Sequence, residues 1–272
     1  MVPEAVTGWV AAQRPRLLDE LLAFISIPSV STDPGYAQGI ADAAETLRAR
    51  LARIGLSSVQ LLYGGGHQAV YGEWTGAPGQ PTILVYGHYD VQPPDPLDLW
   101  DTQPFQPTIR DGRIYARGAS DDKSPLWIAV SAIEAWLAVE GRLPINVKVL
   151  LEGEEEIGSG TLPEIMRRYR DLLAADVLIS ADGGRWRPGR PSVNTNSRGL
   201  AGLELRVRTA GRDLHSGRFG GPVGNAAMVL ARLLASLHDE RNHVAVEGFF
   251  DGLRRPGNAD FASMDEIGRA HV

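Results

Sequence analysis

Hydrophobic positions in the first part of the chain follow two helical segments and then two strand-like ones. Apolar residues recur every three or four positions within 4–25 and again within 40–54, which predicts two amphipathic helices. Pro28 and Gly55 follow these segments and are typical of helix ends. Short strands are predicted near 58–63 and 69–74, with a glycine run between them that favours a hairpin turn.

Three later apolar runs are predicted to be buried strands, and each ends just before ionisable residues. The runs cover 82–86, 145–151 and 176–180, and a further helix is predicted to begin near Ser124. In an α/β sheet, chemistry collects at the carboxyl ends of the strands, so we expect these residues to converge. The convergent set is His88, Asp90, Asp121, Asp122, Glu154, Glu155, Glu156 and Asp182.

Each of these features also has a purely structural interpretation. An Asp before a helix is a common N-cap, and an acidic run is often a solvated surface. His88 and Asp90 could be ordinary loop residues, although residues two apart on an extended segment share a face. The repetition of the pattern at three strand ends and one helix start favours a shared site.

The remaining segments predict a long loop and a change of domain. Residues 92–108 are rich in Pro and Asp, and loops of this length are usually functional. Residues 109–115 predict a tight hairpin with Asp-Gly at its tip. A domain boundary is predicted near 194–199. Beyond it, residues 203–208 alternate between apolar and polar, which predicts a strand with one exposed face, and the apolar spacing within 223–237 predicts a helix.

Composition narrows the classes of partner and of site. The 272 residues carry a net charge of −6, and this mild acidity argues against a nucleic-acid partner. The chain shows neither a signal-peptide core nor an apolar run of membrane-spanning length, so we expect a cytoplasmic protein without a membrane partner. The absence of Cys excludes disulfides and thiolate metal sites.

One His among several carboxylates suits hard or borderline divalent ions, with zinc favoured and manganese or cobalt as alternatives. Two ions need a carboxylate between them, and Asp121 is placed for that role. Metal-bound water ionises near neutral pH, and a free carboxylate beside it can pass the proton to a leaving amine. The pattern therefore predicts metal-assisted hydrolysis, with an amide as the expected substrate.

Four short motifs resemble those of the dinuclear zinc metallopeptidases that include aminoacylase, carboxypeptidase G and cytosolic non-specific dipeptidase. They are His-Tyr-Asp-Val-Gln-Pro from His88, Gly-Ala-Ser-Asp-Asp-Lys ending at Lys123, Glu-Glu-x-Gly-Ser from Glu155, and Asp-Leu-His-Ser-Gly from Asp213. The first and last are most similar to the carnosinase-like dipeptidase branch. The resemblance implies an α/β catalytic domain with a mixed, mostly parallel sheet flanked by helices, and a smaller α+β lid domain.

The same resemblance implies roles for individual residues. His88 and Asp182 would bind one metal, Asp121 would bridge to the second, and Glu156 would bind the second. Asp90 would orient the His88 ring, Glu155 would be the general base, and the Asp121–Asp122 peptide would be cis. His215 would stabilise the oxyanion in a partner subunit, since a homodimer is expected for full-length members. The run of three Glu leaves a shift of register to Glu154 and Glu155 open.

The chain departs from the family pattern after Arg241. The last His ligand of the second metal and the Arg that binds the substrate carboxylate are not found there. We expect a catalytic domain over 1–194 without its C-terminal return, a partial lid and dimerisation domain over 195–265, and a non-native tail over 266–272 whose residues match a translated sequencing adapter. The expected reaction is hydrolysis of dipeptides or similar small peptides by a hydroxide that bridges the metals. The alternatives are an N-acyl-amino-acid deacylase and a non-catalytic metal-binding fragment.

Overall fold

The computed structural model describes residues 2–184, 192–194 and 199–253, and the chain divides into two compact units, 1–195 and 196–272. Among the described residues, all strands lie in the first unit. They are β1 (Ser57–Leu62), β2 (Ala69–Trp74), β3 (Thr82–His88), β4 (Thr108–Arg110), β5 (Arg113–Tyr115), β6 (Asn146–Glu152) and β7 (Val177–Ser180). Its helices are α1 (Glu4–Ile25), α2 (Ala37–Arg53), α3 (Lys123–Glu140), α4 (Leu162–Arg168) and α5 (Arg170–Leu173).

Five strands form one mixed sheet in the order β1-β2-β6-β3-β7. The β6, β3 and β7 strands are parallel to one another, whereas β2 runs antiparallel to both of its neighbours. This arrangement confirms the predicted α/β class with a mixed sheet. Because the three parallel strands are adjacent, their carboxyl ends meet along one edge.

Helices cover both faces of this sheet. On one face, α1, α2 and α3 pack against alternate strand residues such as Val149 and Leu151. The residue between these two on β6, Leu150, points to the other face and packs in a smaller cluster that includes Ile165 of α4. Both faces of β3 and β6 are therefore largely buried, which explains why their sequences are apolar runs, whereas β7 at the edge of the sheet is exposed.

Several predicted elements have the predicted bounds. The first helix covers residues 4–25 and the second strand covers 69–74, as the hydrophobic pattern indicates. The tight hairpin is formed by β4 and β5, with Asp111 (φ 49°) and Gly112 (φ 72°) at its tip. Positive φ at both tip residues is the requirement of the two-residue turn that Asp-Gly favours.

The described part of the second unit contains the helices α6 (Ser216–Phe219) and α7 (Ala226–Ala235). The predicted helix near 223–237 is therefore confirmed. The predicted strand over 203–208 is wrong, because this exposed segment pairs with no strand among the described residues. Alternation indicates which side chains share a face, but a strand also needs a neighbour that supplies backbone hydrogen bonds.

Residues 254–272, including the expected tail, lie outside the described residues. Within the described ranges, no helix has the length and apolar character required to cross a membrane.

Candidate metal centre

The carboxyl ends of the parallel strands bring the predicted site residues to one edge of the sheet. His88 is the last residue of β3 and lies in register with Glu152 at the end of β6. Asp182 follows Ser180, the last residue of β7. Asp121 and Asp122 reach the same edge from the start of α3. The prediction that separate segments converge at this edge is therefore confirmed for these residues.

His88 is fully buried, and its two ring nitrogens face different partners. Nδ1 lies 3.1 Å from the backbone oxygen of Asp90 and 3.4 Å from its carboxylate. Since a carbonyl oxygen only accepts hydrogen bonds, Nδ1 carries a proton, and Nε2 points to the opposite side of the ring. Nε2 lies 3.0 Å from Asp121, 3.9 Å from Asp182 and 4.0 Å from Glu155.

The surrounding carboxylates make this pocket strongly favourable for positive charge. Burial by itself lowers the pKa of His88, but the hydrogen bond and charge of Asp90 act in the opposite direction. Together with the charges of Asp122 and Glu155, they raise the pKa of His88 to about 10. The pocket therefore stabilises a positive charge.

The Asp121–Asp122 pair precedes α3, and the peptide bond between the two residues is cis, as predicted. Asp122 is buried, and its Oδ2 accepts a hydrogen bond from the backbone N–H of His88 at 3.1 Å. Burial raises the pKa of Asp122 to about 7, although its hydrogen bond with His88 and the charge of that residue act the other way. Asp121 remains exposed, with its carboxylate directed at Nε2 of His88.

The acidic run separates into one structural carboxylate and two that face the cluster. Glu154 is buried and accepts hydrogen bonds from the backbone N–H of His67 (2.9 Å) and from the backbone N–H and hydroxyl of Thr161 (3.0 and 2.5 Å). These contacts occupy both of its oxygens. Glu155 and Glu156 are only partly buried, and one carboxylate oxygen of each lies within 4.8 Å of a ring nitrogen of His88.

Asp90 connects the loop after β3 to this acidic turn. Its Oδ1 accepts a hydrogen bond from the backbone N–H of Glu155 at 3.2 Å, and its Oδ2 accepts one from Glu156 at 3.0 Å. The side chain of Gln92 adds a third link, because Nε2 donates to Oε2 of Glu156 at 2.7 Å. The positions of Glu155 and Glu156 thus depend on residues of the preceding loop.

The donor atoms fit a divalent metal ion. Two groups of potential ligands, in each of which the atoms lie within 4.8 Å of one another, share His88. One group adds Asp121 and Asp182, and the other adds Glu155 and Glu156. A neutral imidazole with several carboxylate oxygens is a donor set that zinc and manganese accept. The coordination of divalent metal ions is therefore consistent with both the side chains present and their spacing.

His215 lies in the second unit, where it precedes α6. Its Nδ1 accepts a hydrogen bond from the backbone N–H of Gly217 at 3.0 Å. Among the described residues, the other ring nitrogen, Nε2, has no hydrogen-bond partner. The predicted contribution of His215 to a partner subunit's site stays a prediction.

Two supporting residues were missed by sequence reasoning. The buried Lys123 donates from Nζ to the backbone oxygens of Phe24 (3.1 Å) and Ile27 (2.5 Å), and burial lowers the pKa of Lys123 to about 7. Gln92 belongs to the motif that begins at His88, and the motif assigns it no role. Both residues stand close to predicted site residues in the sequence, and this adjacency is the signal that could have identified them. Their hydrogen-bond partners lie far away along the chain and cannot be inferred from the local sequence.

Comparisons with known proteins agree with this geometry. Residues 84–264 match the model of Peptidase family M20/M25/M40. The chain is 32% identical over 262 residues to Beta-Ala-His dipeptidase of Homo sapiens, which covers 91% of this chain and 52% of that protein. It is 33% identical over 236 residues to Cysteinylglycine-S-conjugate dipeptidase of Corynebacterium striatum, which covers 86% of this chain and 52% of that protein.

Solved structures give the same result. An M20 family metallo-carboxypeptidase, Sso-CP2 from Sulfolobus solfataricus, superposes with a TM-score of 0.73 at 32% identity, over 93% of this chain and 56% of that one. Human carnosine dipeptidase 1 superposes with a TM-score of 0.73 at 26% identity, over 97% of this chain and 58% of that one. The chain spans about half the length of the curated relatives it matches. By sequence and by fold, it belongs to Peptidase family M20/M25/M40.

Proposed function

We propose that the protein hydrolyses the amide bond of dipeptides or similarly small peptides at a centre of two divalent metal ions, with zinc favoured. The observation that carries the proposal is the convergence of Asp121, Asp182 and Glu155 on Nε2 of His88. The similarity to two named dipeptidases supports this substrate class over N-acyl amino acids.

In this proposal His88 and Asp182 would hold one ion, Glu156 would hold the other, and Asp121 would contribute its carboxylate to both. Ions of this kind, when bound, act as Lewis acids that activate water and polarise a peptide carbonyl. Asp90 holds Nδ1 of His88, so that Nε2 faces the carboxylates. The mutual repulsion of these clustered carboxylates supplies part of the affinity for cations.

Glu155 is the proposed proton carrier, which takes a proton from water and delivers it to the leaving amine nitrogen. Within the described part of the chain its carboxylate accepts no hydrogen bond, and it lies 4.0 Å from Nε2 of His88. Burial raises the pKa of Glu155; the charge of His88 lowers it, and the charges of Glu156 and Asp182 raise it further. A carboxyl group with a raised pKa is better matched to proton transfer near neutral pH.

The complete protein is proposed to act as a homodimer, in which His215 stabilises the oxyanion that forms from the scissile carbonyl in the other subunit. This role rests on the resemblance of the Asp-Leu-His-Ser-Gly segment to the family motif.

The test combines metal content with hydrolysis by purified protein and by Glu155→Gln. Substrates are a panel that includes β-alanyl-histidine, Cys-Gly and N-acetyl amino acids. We expect two ions per chain in both proteins, and a loss of about 100- to 10,000-fold in dipeptide hydrolysis for the variant, the usual range for a general base. Glu164→Gln is the matched control, because Glu164 is partly exposed on α4 and its carboxylate forms its hydrogen bonds with Arg167 among the described residues.

Three outcomes would contradict the proposal. Wild-type activity in Glu155→Gln would remove the proposed proton carrier. Faster cleavage of the N-acetyl amino acids than of any dipeptide would indicate a deacylase. A single bound ion without hydrolysis of any substrate would instead support a metal-binding protein without catalytic activity.

A further inference from the structure

Gln92 is an exposed residue whose side chain reaches back to the acidic turn. Its Nε2 donates to Oε2 of Glu156 at 2.7 Å and also lies 3.2 Å from the backbone oxygen of the same residue. The amide group of Gln92 therefore contacts one glutamate at two points. It belongs to the loop after β3, two positions beyond Asp90.

The contacts of Asp90 and Gln92 are complementary. Asp90 binds the backbone N–H groups of both Glu155 and Glu156, so it positions the turn without distinguishing their side chains. Of these two glutamates Gln92 contacts Glu156 alone, through both its carboxylate and its backbone oxygen. The two neighbouring glutamates thus differ because Glu156 has an oxygen held by an amide donor, while the carboxylate of Glu155 accepts no hydrogen bond from any described residue.

We propose that Gln92 is a positioning residue that holds Glu156 in the orientation of a metal ligand, an inference that rests on the proposed dinuclear function. With Oε2 held by the amide, Oε1 of Glu156 is left to bind an ion. The same contact prevents Glu156 from turning into the space of Glu155, whose charge repels it. Partners of metal ligands at this distance typically affect metal affinity by about 10- to 100-fold.

The test replaces Gln92 by Met, which keeps the length of the side chain but has no hydrogen-bond donor. Gln106→Met is the matched control, because Gln106 is an exposed residue of the same loop and its side chain has no hydrogen-bond partner among the described residues. Metal-free protein is titrated with Co²⁺, and the visible absorption reports each bound equivalent. Unfolding temperatures of the metal-free proteins provide the check on folding.

We expect wild type and Gln106→Met to bind two equivalents with the same affinities. In Gln92→Met one equivalent should bind about 10- to 100-fold more weakly and with a changed absorption spectrum, while the other keeps its affinity. A purely structural effect would weaken both equivalents together and lower the unfolding temperature.

The outcomes separate this inference from the function on which it rests. Two equivalents in the wild type and unchanged affinities in Gln92→Met would overturn the role of Gln92 and leave the dinuclear site intact. Equal weakening of both equivalents would overturn it as well. Fewer than two equivalents in the wild type would overturn the dinuclear site itself, and the role of Gln92 with it.

Discussion

Replacement of Glu154 by Ala should destabilise the first unit, whereas the same replacement at Glu155 or Glu156 should leave its stability nearly unchanged. The three residues are adjacent and chemically identical, but their surroundings differ. Glu154 is 6% exposed and accepts hydrogen bonds from His67 and Thr161. Its neighbours are partly exposed and face the proposed metal site.

The magnitude follows from the contacts that are lost. Glu154 accepts three hydrogen bonds, and each bond to a charged group contributes about 1.5–3 kcal/mol. The net contribution of these bonds to stability is smaller than their sum, because burial of a carboxylate is costly. His67 and Thr161 are also only partly buried, so water can replace Glu154 as their partner in the variant. We expect Glu154→Ala to lower the free energy of unfolding by about 3 kcal/mol, which lies above the usual range for surface positions of about 0.5 kcal/mol.

Urea unfolding of metal-free protein, followed by tryptophan fluorescence, measures this change. All six Trp residues lie within 1–195, so the signal reports on the first unit alone. Metal content measured on the same variants separates stability from ligation, since Glu154→Ala should keep both ions and Glu156→Ala should lose one. A cost below about 1 kcal/mol for Glu154→Ala, or loss of an ion from it, would refute this assignment of the three glutamates.

Two further predictions concern buried groups near the site. A Cβ at Gly66 would lie 1.8 Å from Oε1 of Glu154, so Gly66→Ala should destabilise the wild type more than it destabilises the Glu154→Ala variant. A double-mutant cycle in which the two losses of unfolding free energy are additive would contradict this. Burial lowers the pKa of Lys123 from 10.5 to about 7, so the unfolded state binds more protons between these values and the contribution of Lys123 to stability rises with pH. Lys123→Met should therefore lose part of the increase in stability between pH 7 and pH 10, measured by urea unfolding at several pH values, and an unchanged pH profile would contradict it.

The general position of the site could be predicted from the sequence because it depends on strand direction. Apolar runs of this kind favour parallel strands, and their carboxyl ends must then share an edge. The choice within the acidic run could not be predicted with the same certainty. It depends on the donors near Glu154, and His67 lies 87 positions earlier in the chain. The predicted strand over 203–208 failed for a related reason, since its pattern contains no information about a pairing partner.

The contacts of Asp90 explain why the His-x-Asp spacing indicates more than the orientation of one ring. Both oxygens of this buried carboxylate accept backbone hydrogen bonds from the acidic turn, and one of them also lies 3.4 Å from Nδ1 of His88. A single side chain therefore sets the distance between the loop after β3 and the turn after β6. Because the two loops carry different proposed ligands, a change at Asp90 must displace both sets of ligands, and its effect on metal binding should exceed that of a change at any residue that contacts only one of them.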